Sequence, residues 1–244
     1  GAFGDCFFTK DMKLAMKKCV LLLLALVGAT AVLHGEKMSA DVERLWHHID
    51  SVMPQSVRET PKDEGSVIAL PKPYSVPCVK GAFQEMYYWD TYFTNKGLLL
   101  LGNVEQAKNN LACITYLIDK FGYMPNGSHK ALLNRTQPPY ASLMARDIYD
   151  VKHDKELLRQ TVKALEKEYD LWMTKRIAPN CLIRYGQNAT NEELLGFYDA
   201  IAGRLGVDAK DRKTSEADRL KAGAHWLAEA ESGWDFNPRY SQRC

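Results

Sequence analysis

From residue 40 onward, apolar positions recur every three or four residues. In "ADVERLWHHIDSV" they are Val42, Leu45, Trp46 and Ile49, the spacing of one face of an α-helix. The same period returns in "YWDTYFTNKGLLLLG", "VEQAKNNLACITYLIDKFG", "PPYASLMARDIYDV", "KELLRQTVKALEKEYDLWMTKRI" and "EELLGFYDAIAGRLG", and again across roughly residues 214–230. The punctuation agrees. Gly102 and Gly122 stand where a left-handed residue ends a helix. Asn103, Asp154 and Asn191 stand where a side-chain oxygen opens one, and Pro138 suits a first turn. Residues 54–84 break the rhythm: they are rich in proline, lack a steady period and read as a long irregular segment with room for short strands. Residues 178–190 form another loop. His47 and His48 are adjacent and point to different sides of a helix, so they read as surface or core histidines and not as ligands.

Helices joined by short connections, with few strand signals, predict an all-α domain built from helical hairpins. Period alone does not separate a bundle, a solenoid and a closed toroid. The lack of a fixed repeat in residue identity weighs against a solenoid.

Upstream the pattern changes. "CVLLLLALVGATAV", residues 19–32, follows Lys13, Lys17 and Lys18 and contains Ala29-Thr30-Ala31. A basic stretch, a short apolar run and an A-x-A site predict a secretory signal peptide, too short for a comfortable membrane span. Residues 1–31 are then upstream residues and leader, with translation starting at Met12 or Met16. The protein is expected to be secreted or periplasmic, with no stable membrane anchor after leader cleavage. Export brings an oxidising compartment. Past the leader, Cys78, Cys113, Cys181 and Cys244 form no C-x-x-C pair, which argues against zinc and for mainly buried thiols, with a disulfide open and its pairing not given by the spacing.

A formal net charge of +2 without a basic stripe gives no reason to expect nucleic acid. Signatures of zinc proteases, dinucleotide or phosphate loops and serine nucleophile elbows are absent. No cofactor or metal is called for, and nothing fixes an oligomeric state.

The residue types that carry chemistry gather in three stretches. "GAFQEMYYWDTYF" places Phe83, Trp89 and Asp90 among further aromatics. Aromatic faces cover the C–H faces of sugars while carboxylates accept hydrogen bonds from their hydroxyls; taken alone, so dense a run is more often core. "GYMPNGSHKALLNRTQPPY" contains a turn signal, Pro125-Asn126-Gly127, and offers Asn126, Arg135 and Gln137 as polar pocket groups. N-x-[ST] sequons start at Asn126, Asn134 and Asn188. "ESGWDFNPRY" holds Asp235 between Trp234 and Phe236, after Gly233. Apolar neighbours raise a carboxyl pKa, as a general acid at neutral pH requires; a turn or cap residue is the plainer alternative.

Together and in this order, the stretches resemble the trehalase family of inverting glycoside hydrolases. "GAFQEMYYWDTYF" is similar to the family's F-x-E-x-Y-x-W-D-x-Y run, and "MPNGSHKALLNRTQPP" to its P-N-G…R-[ST]-Q-P-P stretch. "ESGWDF" is similar to the segment holding the catalytic acid. The resemblance implies an (α/α)6 toroid over residues 77–244, preceded by an N-terminal helix and irregular wrap at 32–76. It implies a disaccharide substrate, trehalose, with Asp235 as the acid. Phe83, Trp89, Asp90, Asn126, Arg135, Gln137 and Gly233 would form the sugar pocket.

The sequence departs from the family in two places. Ala82 stands where the family has the Arg of G-G-R-F, with Lys80 as the nearest cation. "NATNEELLGFY" stands where the family has Arg-x-Glu-Ser, with Glu192 or Glu193 as candidates for the acidic place. Both departures leave another α-glucoside open as substrate, because Lys does not replace a bidentate Arg well. Inversion also needs a base about 6.5–9.5 Å from the acid. The family takes it from a later helix, so the resemblance implies roughly the first half of the toroid, inactive by itself. Glu85, Asp90 and Glu231 are the other acids near the motifs. A non-catalytic sugar-binding helical module is the competing reading.

Overall fold

A computed structural model describes residues 39–206 and 215–235. The leader reading and Cys244 lie outside the described residues. The chain divides into two compact units, residues 1–49 and 50–244. Helix α1, Ala40–Val52, carries the predicted stripe, and Val42, Leu45, Trp46 and Ile49 are all exposed.

Six further helices follow: α2 (Tyr88–Leu100), α3 (Val104–Phe121), α4 (Ala141–Lys152), α5 (Lys155–Lys175), α6 (Asn191–Arg204) and α7 (Glu216–Ser232). Helices α2 and α3, α3 and α4, and α4 and α5 pack as hairpins, and α6 packs on α7. In addition α2 packs on α4 and α3 on α5, each pair skipping the helix between them. Alternate helices therefore form two staggered layers, the arrangement of a double-walled helical barrel.

Helix α3 is the centre of the core. Ala107, Leu111, Ile114, Leu117 and Ile118 share one stripe, each 0% exposed. The irregular segment supplies part of this core. Its two-residue strands β1 (Val57–Arg58) and β2 (Tyr74–Ser75) pair antiparallel, and Ile68, Leu70, Tyr74 and Val76 are buried. One polar group is built into the packing. Buried Asn110 accepts from Ser75 N (2.8 Å) and Gln106 Nε2 (3.0 Å) and donates to Asn95 Oδ1 (2.9 Å) and Ser75 Oγ (3.0 Å). Fully satisfied, it fixes β2 and α2 on α3.

The helix ends follow the sequence at Asn103 and Asp154, whose side chains accept from Gln106 N and Leu157 N, and at Gly122, left-handed at φ 82°. Two expected starts move. Helix α4 begins at Ala141 and not at Pro138. Pro139 disfavours helical backbone at Pro138, so the helix forms only beyond the pair. Helix α6 is capped by Thr190, not Asn191. Thr190 and Glu193 satisfy each other's backbone N–H in a capping box, which an asparagine one residue later cannot do. Among the described cysteines Cys113 is buried, Cys78 is half-buried and Cys181 exposed, and all three are free thiols. The expectation of mainly buried thiols holds for Cys113 alone. No described helix is long and apolar enough to cross a membrane.

Candidate active site

The first turn of α2 has no side-chain cap of its own. Its orphan N–H groups are taken by the "PNG…RTQPP" stretch: Tyr88 N donates to Asn126 O (3.1 Å) and Trp89 N to Gln137 Oε1 (3.0 Å). Asn126 N in turn donates to Arg135 O (2.9 Å), and its buried side chain reaches Thr136 O (3.4 Å). Pro125-Asn126-Gly127 is therefore not the tight turn its composition suggested. It runs alongside residues 86–88 through a bridge between Tyr87 and Gly127. Gly127 is there for close approach: a Cβ would stand 2.8 Å from both Met86 O and Leu132 Cδ1. Asn126 and Asn134 are buried, which withdraws two of the three sequons from glycosylation.

The third stretch arrives from the opposite side. Helix α7 ends at Gly233, left-handed at φ 76°. A Cβ on Gly233 would stand 2.5 Å from the Trp89 indole. The glycine thus seats the end of α7 directly on the aromatic ring at the start of α2. Two residues later, Asp235 enters a cleft of about 490 Å³ lined by Phe83, Trp89, Asp90, Asn126, Arg135 and Gln137. Every predicted site residue lines this cleft except Gly233, which backs Trp89.

Both cleft carboxyls lie in partly desolvating surroundings. Partial desolvation raises the pKa of Asp235, with Arg135 and then Arg204 pulling the other way. Burial also raises Asp90. The Arg135 guanidinium donates to Asn134 Oδ1 (2.8 Å) and lies 5.5 Å from the Phe197 ring centroid. Its buried Nε has no hydrogen-bond partner among the described residues, so one donor is left over at the cleft. Phe83, at the rim, adopts φ 59°, a left-handed backbone unusual for a bulky residue and a place where strain gathers at ligand clamps.

The structure also supplies what the motifs did not. Phe197, Ala200, Ile201 and Arg204 of α6 line the same cleft at helical spacing. Neither Lys80 nor Glu192 nor Glu193 does so, and Glu193 is engaged in the α6 capping box. The second guanidinium of the cleft comes from Arg204, past the point where the family motif places it. Their i, i+3, i+4, i+7 spacing is visible in the sequence, where it marks a helix face without saying what that face meets.

A larger cavity, about 670 Å³, lies along α5 and is lined by Val162, Leu165, Tyr169, Trp172 and Met173. Its wall is mainly apolar, with Ser142, Glu166, Glu168 and Arg184 also on it, and the three motif stretches that carry the candidate chemistry supply none of Asp235, Arg135 or Trp89 to it. No group of three or more potential metal ligands occurs among the described residues.

Residues 29–243 match the family described as Trehalase. A periplasmic trehalase of Pseudomonas aeruginosa is 35% identical over 213 residues, covering 79% of this chain and 37% of the relative. A trehalase of Apis mellifera is 31% identical over 209 residues, covering 83% of this chain and 32% of the relative. Neutral trehalase Nth1 from Saccharomyces cerevisiae superposes with a TM-score of 0.55 and 25% identity, over 69% of this chain and 34% of its own. The chain thus spans about a third of the length of these relatives.

Proposed function

This chain belongs to the trehalase family, and on that premise we propose that it forms the acid-bearing part of a secreted or periplasmic enzyme that hydrolyses trehalose to glucose with inversion. The convergence of Trp89, Asp90, Asn126, Arg135, Gln137 and Asp235 on one cleft carries the reading. Trp89 and Phe83 cover the apolar face of a glucosyl ring. Asp90, Asn126, Arg135 and Gln137 hold its hydroxyls. Asp235, whose pKa partial desolvation raises, delivers its proton to the glycosidic oxygen as the bond breaks. The base that activates water belongs to the share of the relatives' length that this chain does not span. Residues 77–244 are then the first part of the (α/α)6 domain, and residues 1–31 contain the leader that directs export, in keeping with the periplasmic relatives.

A second reading, hydrolysis of another α-glucoside, draws support from Ala82 and from the position of Arg204. The test is glucose release by the complete catalytic domain from trehalose and from maltose. Trehalose should be preferred, and the reverse order would replace the substrate. Asp235→Asn should lower turnover by about 10²–10⁴-fold with the circular dichroism spectrum unchanged. Undiminished turnover would remove the acid assignment.

A further inference from the structure

Glu231 lies four residues before Asp235 and is 0% exposed. Its carboxylate accepts four hydrogen bonds: from Arg176 Nε (2.6 Å) and Gly186 N (2.8 Å) at Oε1, and from Arg176 Nη2 (2.6 Å) and Thr136 N (3.0 Å) at Oε2. Every lone pair is engaged, with a bidentate guanidinium on one side and backbone donors on the other. With all its acceptor positions taken and no place in the cleft lining, Glu231 is separate from the chemistry of Asp235.

What it holds is specific to the cleft. Thr136 stands between Arg135 and Gln137, both of which line it. Arg176, itself 2% exposed, donates from Nη1 to Asn188 Oδ1 (3.1 Å), while Asn188 N donates to Asn134 O (2.7 Å). The sugar-facing loop 134–137 is therefore tied to the loop 176–188, and both to the last turn of α7. From that turn the chain has only Ser232, Gly233 on Trp89, and Trp234 before Asp235. The placement of the acid relative to Arg135 and Gln137 passes through one carboxylate.

We propose that Glu231 is a positioning residue that keeps the acid-bearing turn and the sugar-binding loop in one register, through Thr136 N and Arg176. The proposal rests on the hydrolase reading above. It goes beyond it because Glu231 touches neither the cleft nor a substrate there.

The test is the paired variant Glu231→Gln/Arg176→Met in the complete catalytic domain. It removes both buried charges together, so that neither is stranded. The new amide offers an N–H where a backbone N–H now donates, which breaks the register locally. Turnover of trehalose, whose leaving oxygen needs the acid's proton, should fall by about 100-fold, the scale of an ångström misplacement. Turnover of α-glucosyl fluoride, whose fluoride departs without that proton, should fall by less than about tenfold, consistent with the share owed to general acid catalysis.

Amide hydrogen exchange on the same complete catalytic domain supplies the independent readout. Thr136 and Gly186 should exchange faster while Leu117 and Ile118 stay protected. Equal loss on both substrates, turnover of trehalose unchanged, or faster exchange throughout the chain would each overturn the positioning role. A wild type that hydrolyses neither substrate would remove the hydrolase reading itself, a different result from an active wild type with an unaffected variant.

Discussion

The middle of α3 and the floor of the cleft are both buried, yet they are held by opposite means. Leu111, Ile114, Leu117 and Ile118 pack within the apolar core cluster, and such contact has no direction. Asn126, Thr136 and Gln137 are each tied to a named donor or acceptor, so their positions are set by hydrogen-bond geometry. The core can lose volume and relax. The cleft has no such freedom, because a displaced carbonyl or amide leaves a buried partner unmet. Stability and site geometry are therefore separable properties of this molecule.

The largest expected effect tests the core alone. Ile114→Ala should lower the unfolding free energy by about 3–4 kcal/mol, within the range for a cavity at a closed site. A urea titration reads this, and the folded fraction should bind sugar in a calorimeter as the wild type does. Altered affinity would show that the two regions are not separable.

The next effect sits where the regions meet. Tyr88 donates to Glu168 Oε1 (2.6 Å) and accepts from Ala141 N (2.9 Å), joining α2, α4 and α5 beside Trp89. Burial raises the Glu168 pKa from the ordinary 4.5 to about 7, with the Tyr88 hydrogen bond opposing the shift. Between those values the folded chain keeps a proton that the unfolded chain has released. The contribution is complete below about pH 4.5 and is lost as pH rises through 7, on the order of 3 kcal/mol at most. Urea midpoints measured from pH 4 to 8 should show this decline in the wild type and its absence in Glu168→Gln. A decline of equal size in the variant would assign the pH dependence elsewhere.

The smallest effect isolates the cleft. Phe83→Gly relieves a left-handed backbone and should raise stability by about 1 kcal/mol or leave it unchanged. It also removes a ring from the cleft wall, so sugar affinity should fall. Affinity and thermal midpoint falling together would instead make Phe83 a packing residue.

The sequence was more legible along the helices than at their junctions. The α3 stripe and the caps at Asn103, Asp154 and Gly122 follow from spacing and side-chain chemistry that act within one turn. The start of α4 does not, because it depends on Pro138 and Pro139 acting together. The cleft stretches were legible because their residue types are unusual at fixed intervals. Phe197 and Arg204 were not: a helical period says which residues share a face, never what that face meets. Glu231 was visible only as another acid near Asp235. Its role depends on Arg176, Gly186 and Thr136, which no local pattern connects to it.

The contact between Gly233 and Trp89 has an evolutionary consequence. Any side chain at 233 collides with the indole, and the positive φ penalises every residue but glycine, so drift at that codon is closed while the tryptophan stays. A smaller ring at 89 would lift the steric bar and leave the conformational one. The two sites should therefore substitute in a fixed order, tryptophan first and glycine second, although they lie in distant parts of the chain.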